Sequence, residues 1–165
     1  MIVWGLSYGH HDAAAVVIKN SQVVFSKRSE QFTGVWCDKN ISQEMLNLMI
    51  DQYGIPDTVY FHENKKRDLW RKIKSFDWAR INTPHPVLPK QSRIVTGNHH
   101  LSHAAAGYYT SGFDDALVIV ADAIGELESL AVYRASERKL DTTPLHVLKY
   151  PHSLGLFYSY HVAAI

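Results

Sequence analysis

The chain has 165 residues, 46% of them hydrophobic and 20% charged, with a formal net charge of +1. That composition belongs to a soluble globular protein with one core or slightly more, and it lacks the basic excess that tracks nucleic-acid phosphates. Its longest apolar runs, Ala13 to Ile18 and Ala116 to Ala121, hold six residues each and are too short to span a bilayer.

Met1 to Ser7 reads as a short buried strand, followed by a Gly/His turn over Tyr8 to Asp12 and a second strand over Ala13 to Lys19. Lys19-Asn20-Ser21 predicts a hairpin turn, and Gln22 to Arg28 a third strand. Between Ser42 and Gly54 the apolar residues Met45, Leu46, Leu48, Met49 and Tyr53 fall close to helical spacing. Ser42 suits the N-cap of that helix and Gly54 its stop. Asp57 to Glu63 reads as a fourth strand and Lys65 to Arg80 as a basic amphipathic helix. The basic residues of that helix are balanced by Glu63, Asp68 and Asp77, which points to a solvated face. Prolines at 84, 86 and 89 mark a loop, and Arg93 to Asn98 forms a fifth strand. The single cysteine, Cys37, excludes an internal disulfide and points to a reducing, cytoplasmic location; the N-terminus shows no basic signal-peptide start.

The next helix, running to about Thr110, opens on three histidines in five residues: His99, His100 and His103. Positions i and i+4 share a helix face, so His99 and His103 are able to grip one ion together while His100 points elsewhere. Such pairs also recur by accident, and on spacing alone the plainer reading, helix-end or core histidines satisfied by neighbours, is favoured.

The pattern then restarts. Strands are predicted over Asp115 to Glu126, Leu127 to Ser136 and Leu145 to Ser153, and a helix opens near Gly155 and reaches Ile165 without a stop signal. This order predicts one complete lobe over residues 1–112 and the beginning of a second over 113–165, as in a fragment of a longer protein. Both lobes carry a strand, a turn bearing an aspartate, and a second strand, seen in GLSYGHHDAAAVV and VIVADAIGELESLAV.

Four blocks in order carry a family resemblance: GLSYGHHDAAAVV, SEQFTG, HHLSHAAAGYYTSGFDDALVIVADAIGE and PHSLGLFYS. They resemble the N-terminal part of the O-carbamoyltransferases of the nodulation and cephamycin type. More distantly, they are similar to the tRNA threonylcarbamoyl-transfer proteins of the actin/Hsp70/sugar-kinase superfamily. The resemblance implies an α/β fold, an actin/Hsp70-like (ribonuclease-H-like) lobe whose mixed sheet is flanked by helices, plus the first strands of a second similar lobe. It also implies that a C-terminal YrdC-like domain, lying outside these residues, makes carbamoyl-adenylate from carbamoyl phosphate and ATP. The N-terminal domain then passes the carbamoyl group to a hydroxyl of a small-molecule acceptor, with no nucleic acid or membrane involved.

The same resemblance implies roles for individual residues. His99, His103 and Asp122 would ligate a divalent metal, iron(II) ahead of zinc, together with an aspartate from outside this chain. His11 would be the base that deprotonates the acceptor, with Asp12 beside it and Glu30 orienting the acceptor or a nearby base. Gly125 and Ser153-Leu154-Gly155 would let the backbone approach the carbamoyl-adenylate, and Tyr158 either lines that cleft or fills the core. For His11-Asp12 a turn-stabilising pair, for Glu30 an exposed strand end, and for the glycines ordinary turns remain the alternatives.

This sequence departs from the family pattern at several points. Ala123 replaces the first glycine of DGxGE, and would be strained if that position needs positive φ. Ala14 replaces a serine, and Gln31 and Gly34 replace two basic positions. These changes leave open a weakened or inactive nucleotide-binding fragment. A superfamily ATPase or sugar kinase is a further alternative, although Gly9-His10-His11-Asp12 does not match the DxGxxx phosphate loop with which those enzymes open.

Overall fold

The computed structural model describes residues 1–9, 11–62, 86–125 and 127–163. Packing divides the chain into two units, Met1–Gly97 and Asn98–Ile165. In the first unit the elements run β1 (Ile2–Ser7), β2 (Ala14–Lys19), β3 (Gln22–Arg28), α1 (Glu30–Thr33), α2 (Gln43–Tyr53), β4 (Thr58–Phe61) and β5 (Arg93–Thr96).

Alternation along the strands decides which face is buried. Trp4 and Leu6 of β1, Ala15 and Val17 of β2, Phe25 of β3, and Val59 and Phe61 of β4 all turn into one core. Met45, Leu46 and Met49 of α2 cover it. The β2–β3 hairpin closes through Asn20 and Ser21, both left-handed at φ 52° and 65°, as a two-residue turn of this twist requires. The strand β4 runs parallel to β1, so a crossover must separate them, and α2 supplies it. Both expected ends of α2 are present. The Ser42 side chain accepts from the Met45 N–H, and Gly54 takes φ 92°.

The resulting order is β3-β2-β1-β4-β5, an antiparallel meander followed by two parallel strands. The sheet is therefore mixed, as expected for the first lobe. The single turn α1 was not expected, because four residues carry no readable periodicity. The helix expected over 65–80 lies outside the described residues.

The second unit contains α3 (His99–Ser111), β6 (Ala116–Gly125), β7 (Glu128–Ser136), β8 (Lys139–Leu140), β9 (His146–Lys149) and α4 (Leu154–Ala163). The strands β6 and β7 form an antiparallel hairpin, and β8 and β9 both pair with β7. Ala104 of α3 joins Val120, Ala131 and Tyr133 in the core of this unit. Dividing the chain at residue 112 counts the histidine helix with the first lobe; by packing it lies with β6 and β7 in the second unit. Among the described residues no helix is long and apolar enough to cross a membrane.

Trp4 is fully buried at the centre of the first core. Trp4→Ala is expected to cost about 3–5 kcal/mol through the cavity it leaves. Urea unfolding followed by far-ultraviolet circular dichroism will show this as a lowered midpoint with the slope unchanged.

Candidate functional site

The helix α3 starts on Asn98, whose side chain accepts from the Leu101 N–H at 3.0 Å. Its buried stripe is His100, Ala104 and Tyr108, spaced four apart. The alanine in that stripe lets the helix approach the sheet closely. His99 and His103 form the neighbouring row, one residue around the helix, and therefore sit at the rim of the buried face. There they meet Asp122.

Asp122 stands where the β6–β7 ladder loses its register, between Ala121 and Gly125. Irregularities of this kind re-aim side chains. Here the Asp122 carboxylate turns toward α3, with Oδ2 at 2.7 Å from His99 Nε2, while Oδ1 accepts from the Ala123 N–H at 2.6 Å. His103 Nε2 lies 3.1 Å from His99 Nε2. The hydrogen bond from His99, then the Ala123 N–H and the nearby imidazoles, hold the Asp122 carboxyl well below its ordinary range, at about 2.

The ligating atoms of His99, His103 and Asp122 all lie within 4.8 Å of one another. A first-row ion with bonds of about 2.1 Å keeps adjacent ligands about 3 Å apart, close to the 2.7 and 3.1 Å that separate His99 Nε2 from Asp122 Oδ2 and from His103 Nε2. Two imidazoles and a carboxylate form a donor set suited to iron(II) or zinc with positions left open.

The turn after Asp122 is clamped from α4. Ser153 Oγ lies 3.0 Å from the Asp122 carbonyl and 2.7 Å from that of Ala123, and it accepts from the Leu156 N–H as the helix cap. A Cβ on Gly155 would fall 2.6 Å from the Ala123 nitrogen and 2.8 Å from the Asp122 carbonyl carbon. Within this chain the need for glycine at 155 therefore comes from its own backbone. Ala123 is not in the left-handed region, so alanine at that position carries none of the strain a positive φ would bring. Leu154 and Tyr158 are exposed on α4, which overturns the core reading of Tyr158.

The first unit holds a separate cluster at the β1–β2 turn. His11 Nδ1 lies 2.8 Å from Asp12 Oδ2. With the carboxylate ionised, the imidazole is the donor, which leaves a lone pair on Nε2. The His11 hydrogen bond, aided by the Arg28 guanidinium, keeps the Asp12 carboxyl below its usual range. Arg28 bridges two acids, with Nη1 at 3.3 Å from Asp12 and Nη2 at 2.7 Å from Glu30. Glu30 also accepts from the Cys37 N–H at 3.2 Å, so it is a fixed member of this network and the exposed strand-end reading is set aside. The segment after α1 is tied to the turn on both sides, by Gly9 N–H to Lys39 and Ala13 N–H to Asp38.

Two participants were missed in the sequence. Arg28 shares an alternating strand-end pattern with Glu30, a usable signal. The pairing of buried His100 with Glu128, at 3.3 Å, joins a helix to a distant strand and leaves no local signature.

A model of the carbamoyltransferase N-terminus matches residues 76–164, more than half of the chain. The chain belongs to the carbamoyltransferase N-terminal family. Within the curated proteins it is 25% identical over 190 residues to the uncharacterized protein sll1178 of Synechocystis sp., covering 95% of this chain and 31% of that protein. It is also 25% identical over 169 residues to the nodulation protein NolNO of Sinorhizobium fredii, covering 90% of this chain and 24% of that one. The chain thus spans less than a third of the length of each of these relatives. Among solved structures, YeaZ from Pseudomonas aeruginosa superposes with a TM-score of 0.47 at 11% identity, covering 90% of this chain and 69% of that one. The family match includes the whole His99–His103–Asp122 centre and the α4 clamp.

Gly155→Ala is expected to cost about 1–3 kcal/mol, because the new methyl meets backbone rather than a movable side chain. Thermal denaturation checks the cost, and an amide chemical-shift change at Ala123 will locate it.

Proposed function

We propose that this chain is the acceptor-carbamoylating part of an O-carbamoyltransferase, moving a carbamoyl group from carbamoyl-adenylate to a hydroxyl of a sugar or secondary metabolite. The observation that carries the reading is the convergence of His99, His103 and Asp122 inside a carbamoyltransferase-family match. Carbamoyl phosphate and ATP are the expected sources of the adenylate, and the acceptor is a small molecule.

His11 serves as the general base. Asp12 fixes its Nδ1–H, so Nε2 is the atom that receives the proton of the acceptor hydroxyl. The alkoxide-like oxygen attacks the carbamoyl carbon, the bond from that carbon to the phosphate oxygen breaks, and AMP leaves with the electron pair. Arg28 and Glu30 hold Asp12 and the segment around Cys37 in place through this step.

In the second unit, His99, His103 and Asp122 would hold a divalent ion, iron(II) ahead of zinc. Such an ion, when bound, aligns phosphate and carbamoyl oxygens and offsets developing negative charge. The first turn of α4, over Ser153, Leu154 and Gly155, favours an anion through its helix N-terminus, and Gly125 and exposed Tyr158 complete the expected adenylate contacts. Ser153 acts there through its cap and its hold on Asp122.

Two substitutions in the full-length protein test this reading. His11→Asn should leave carbamoyl-adenylate formation intact and slow transfer to an alcohol by roughly 10²–10⁴-fold; loss of neither half-reaction would remove the base assignment. His103→Ala should abolish metal retention after anaerobic purification with the fold preserved. Unchanged bound metal by elemental analysis would remove the centre.

A further inference from the structure

A second buried polar pair adjoins the three ligands without belonging to them. His100 is essentially fully buried, and its Nδ1 lies 3.3 Å from Glu128 Oε2, off the direction of an ideal hydrogen bond. Its Nε2 has no hydrogen-bond partner among the described residues. The ring sits 5.8 Å from that of His99, tilted by 54°.

Gly125, at the end of β6, closes the other side. A Cβ there would stand 2.5 Å from His99 Cδ2, 2.9 Å from His100 Nε2 and 3.1 Å from Asp122 Oδ2. The first two are atoms of imidazole rings, and the His100 ring is buried. Gly125 is therefore the gap through which both imidazoles and the carboxylate come together.

Something must fix the rotation of α3 about its axis. Each residue turns the helix by about 100°, and a misrotation of a fraction of that would carry His99 away from Asp122. Ala104, the small apolar member of the buried stripe, packs without directional preference. His100 is a rigid polar ring in a slot bounded by Gly125 and Glu128, and it has one orientation that faces the carboxylate.

We propose that His100, held by Glu128, is a positioning residue that sets the rotation of the first turn of α3 and aims the His99 ring at Asp122, with Gly125 as the clearance between them. The inference rests on the metal reading of His99, His103 and Asp122. It adds His100 and Glu128, which touch no substrate and act through the ligands alone, and it gives Gly125 a second role as clearance beside the ligands.

The test uses the full-length apo protein titrated with Zn(II) against a chromophoric chelator, and with Co(II), whose visible spectrum reports coordination geometry. Wild type should bind either ion. Glu128→Gln should weaken Zn(II) by roughly 10–100-fold and alter the Co(II) spectrum, as removal of a partner behind metal ligands does. Gly125→Ala should lose at least as much. His100→Phe, which keeps the ring volume, should match Glu128→Gln, with the double variant no worse than either single one. Wild-type affinity and spectrum in Glu128→Gln would overturn the positioning role and leave the ligands standing. A wild-type protein that binds neither ion would overturn the metal reading and this inference with it. Should His100→Phe fail to fold, Glu128→Gln decides, because its side chain reaches solvent and the change keeps its shape.

Discussion

An antiparallel hairpin in continuous register spends its backbone N–H and C=O groups on the neighbouring strand and sends side chains to alternate faces. Around Asp122 the β6–β7 hairpin departs from that rule, and the groups it leaves over are taken up locally. The Ala123 N–H turns to the Asp122 side chain, and the carbonyls of Asp122 and Ala123 meet the Ser153 hydroxyl. One irregularity thus does three things. It swings the carboxylate toward α3, supplies a hydrogen bond that keeps it ionised, and binds the start of α4 to β6. Gly155 is part of the same arrangement, since a side chain there would push the helix off the turn.

The two units use the same local device for different ends. Each places an aspartate in or beside a strand-to-strand turn and pairs it with an imidazole: His11 with Asp12, His99 with Asp122. In both, the hydrogen bond from histidine is the largest influence lowering the carboxyl pKa. Exposure separates them. The His11 side chain is 77% exposed, and that of His99 only 15%. An open imidazole with a free lone pair is suited to exchanging protons with a substrate. An enclosed one beside a second histidine is suited to a fixed charge arrangement.

Packing supports this division. The first core is built from large side chains, with Trp4, Met45, Leu46 and Met49 fully enclosed, and it anchors a sheet whose turn carries the His11 cluster. The second core is smaller and relies on alanines, Ala104 and Ala131, that bring α3 close to the sheet. Close approach is what allows ligands on a helix and a strand to share one point. It also brings the polar ring of His100 into the interior, where burial holds its pKa below the ordinary range against the opposing pull of Glu128.

The sequence by itself determined most of the element order, the caps of α2, the hairpin turn at Asn20-Ser21 and the family. These depend on local spacing, side-chain type and short motifs, all of which are written along the chain. It also singled out His99, His103 and Asp122, because a helical i, i+4 pair and a strand-end carboxylate are legible once the family pattern is matched. Tertiary structure alone decided how those residues meet. The lapse in register, the Ser153 clamp, the clearance at Gly125 and the His100–Glu128 contact each join segments distant in sequence. Even the side of the boundary on which α3 falls is set by which sheet its buried stripe fits. Such pairings arise from packing geometry, which a linear pattern of residues does not encode position by position.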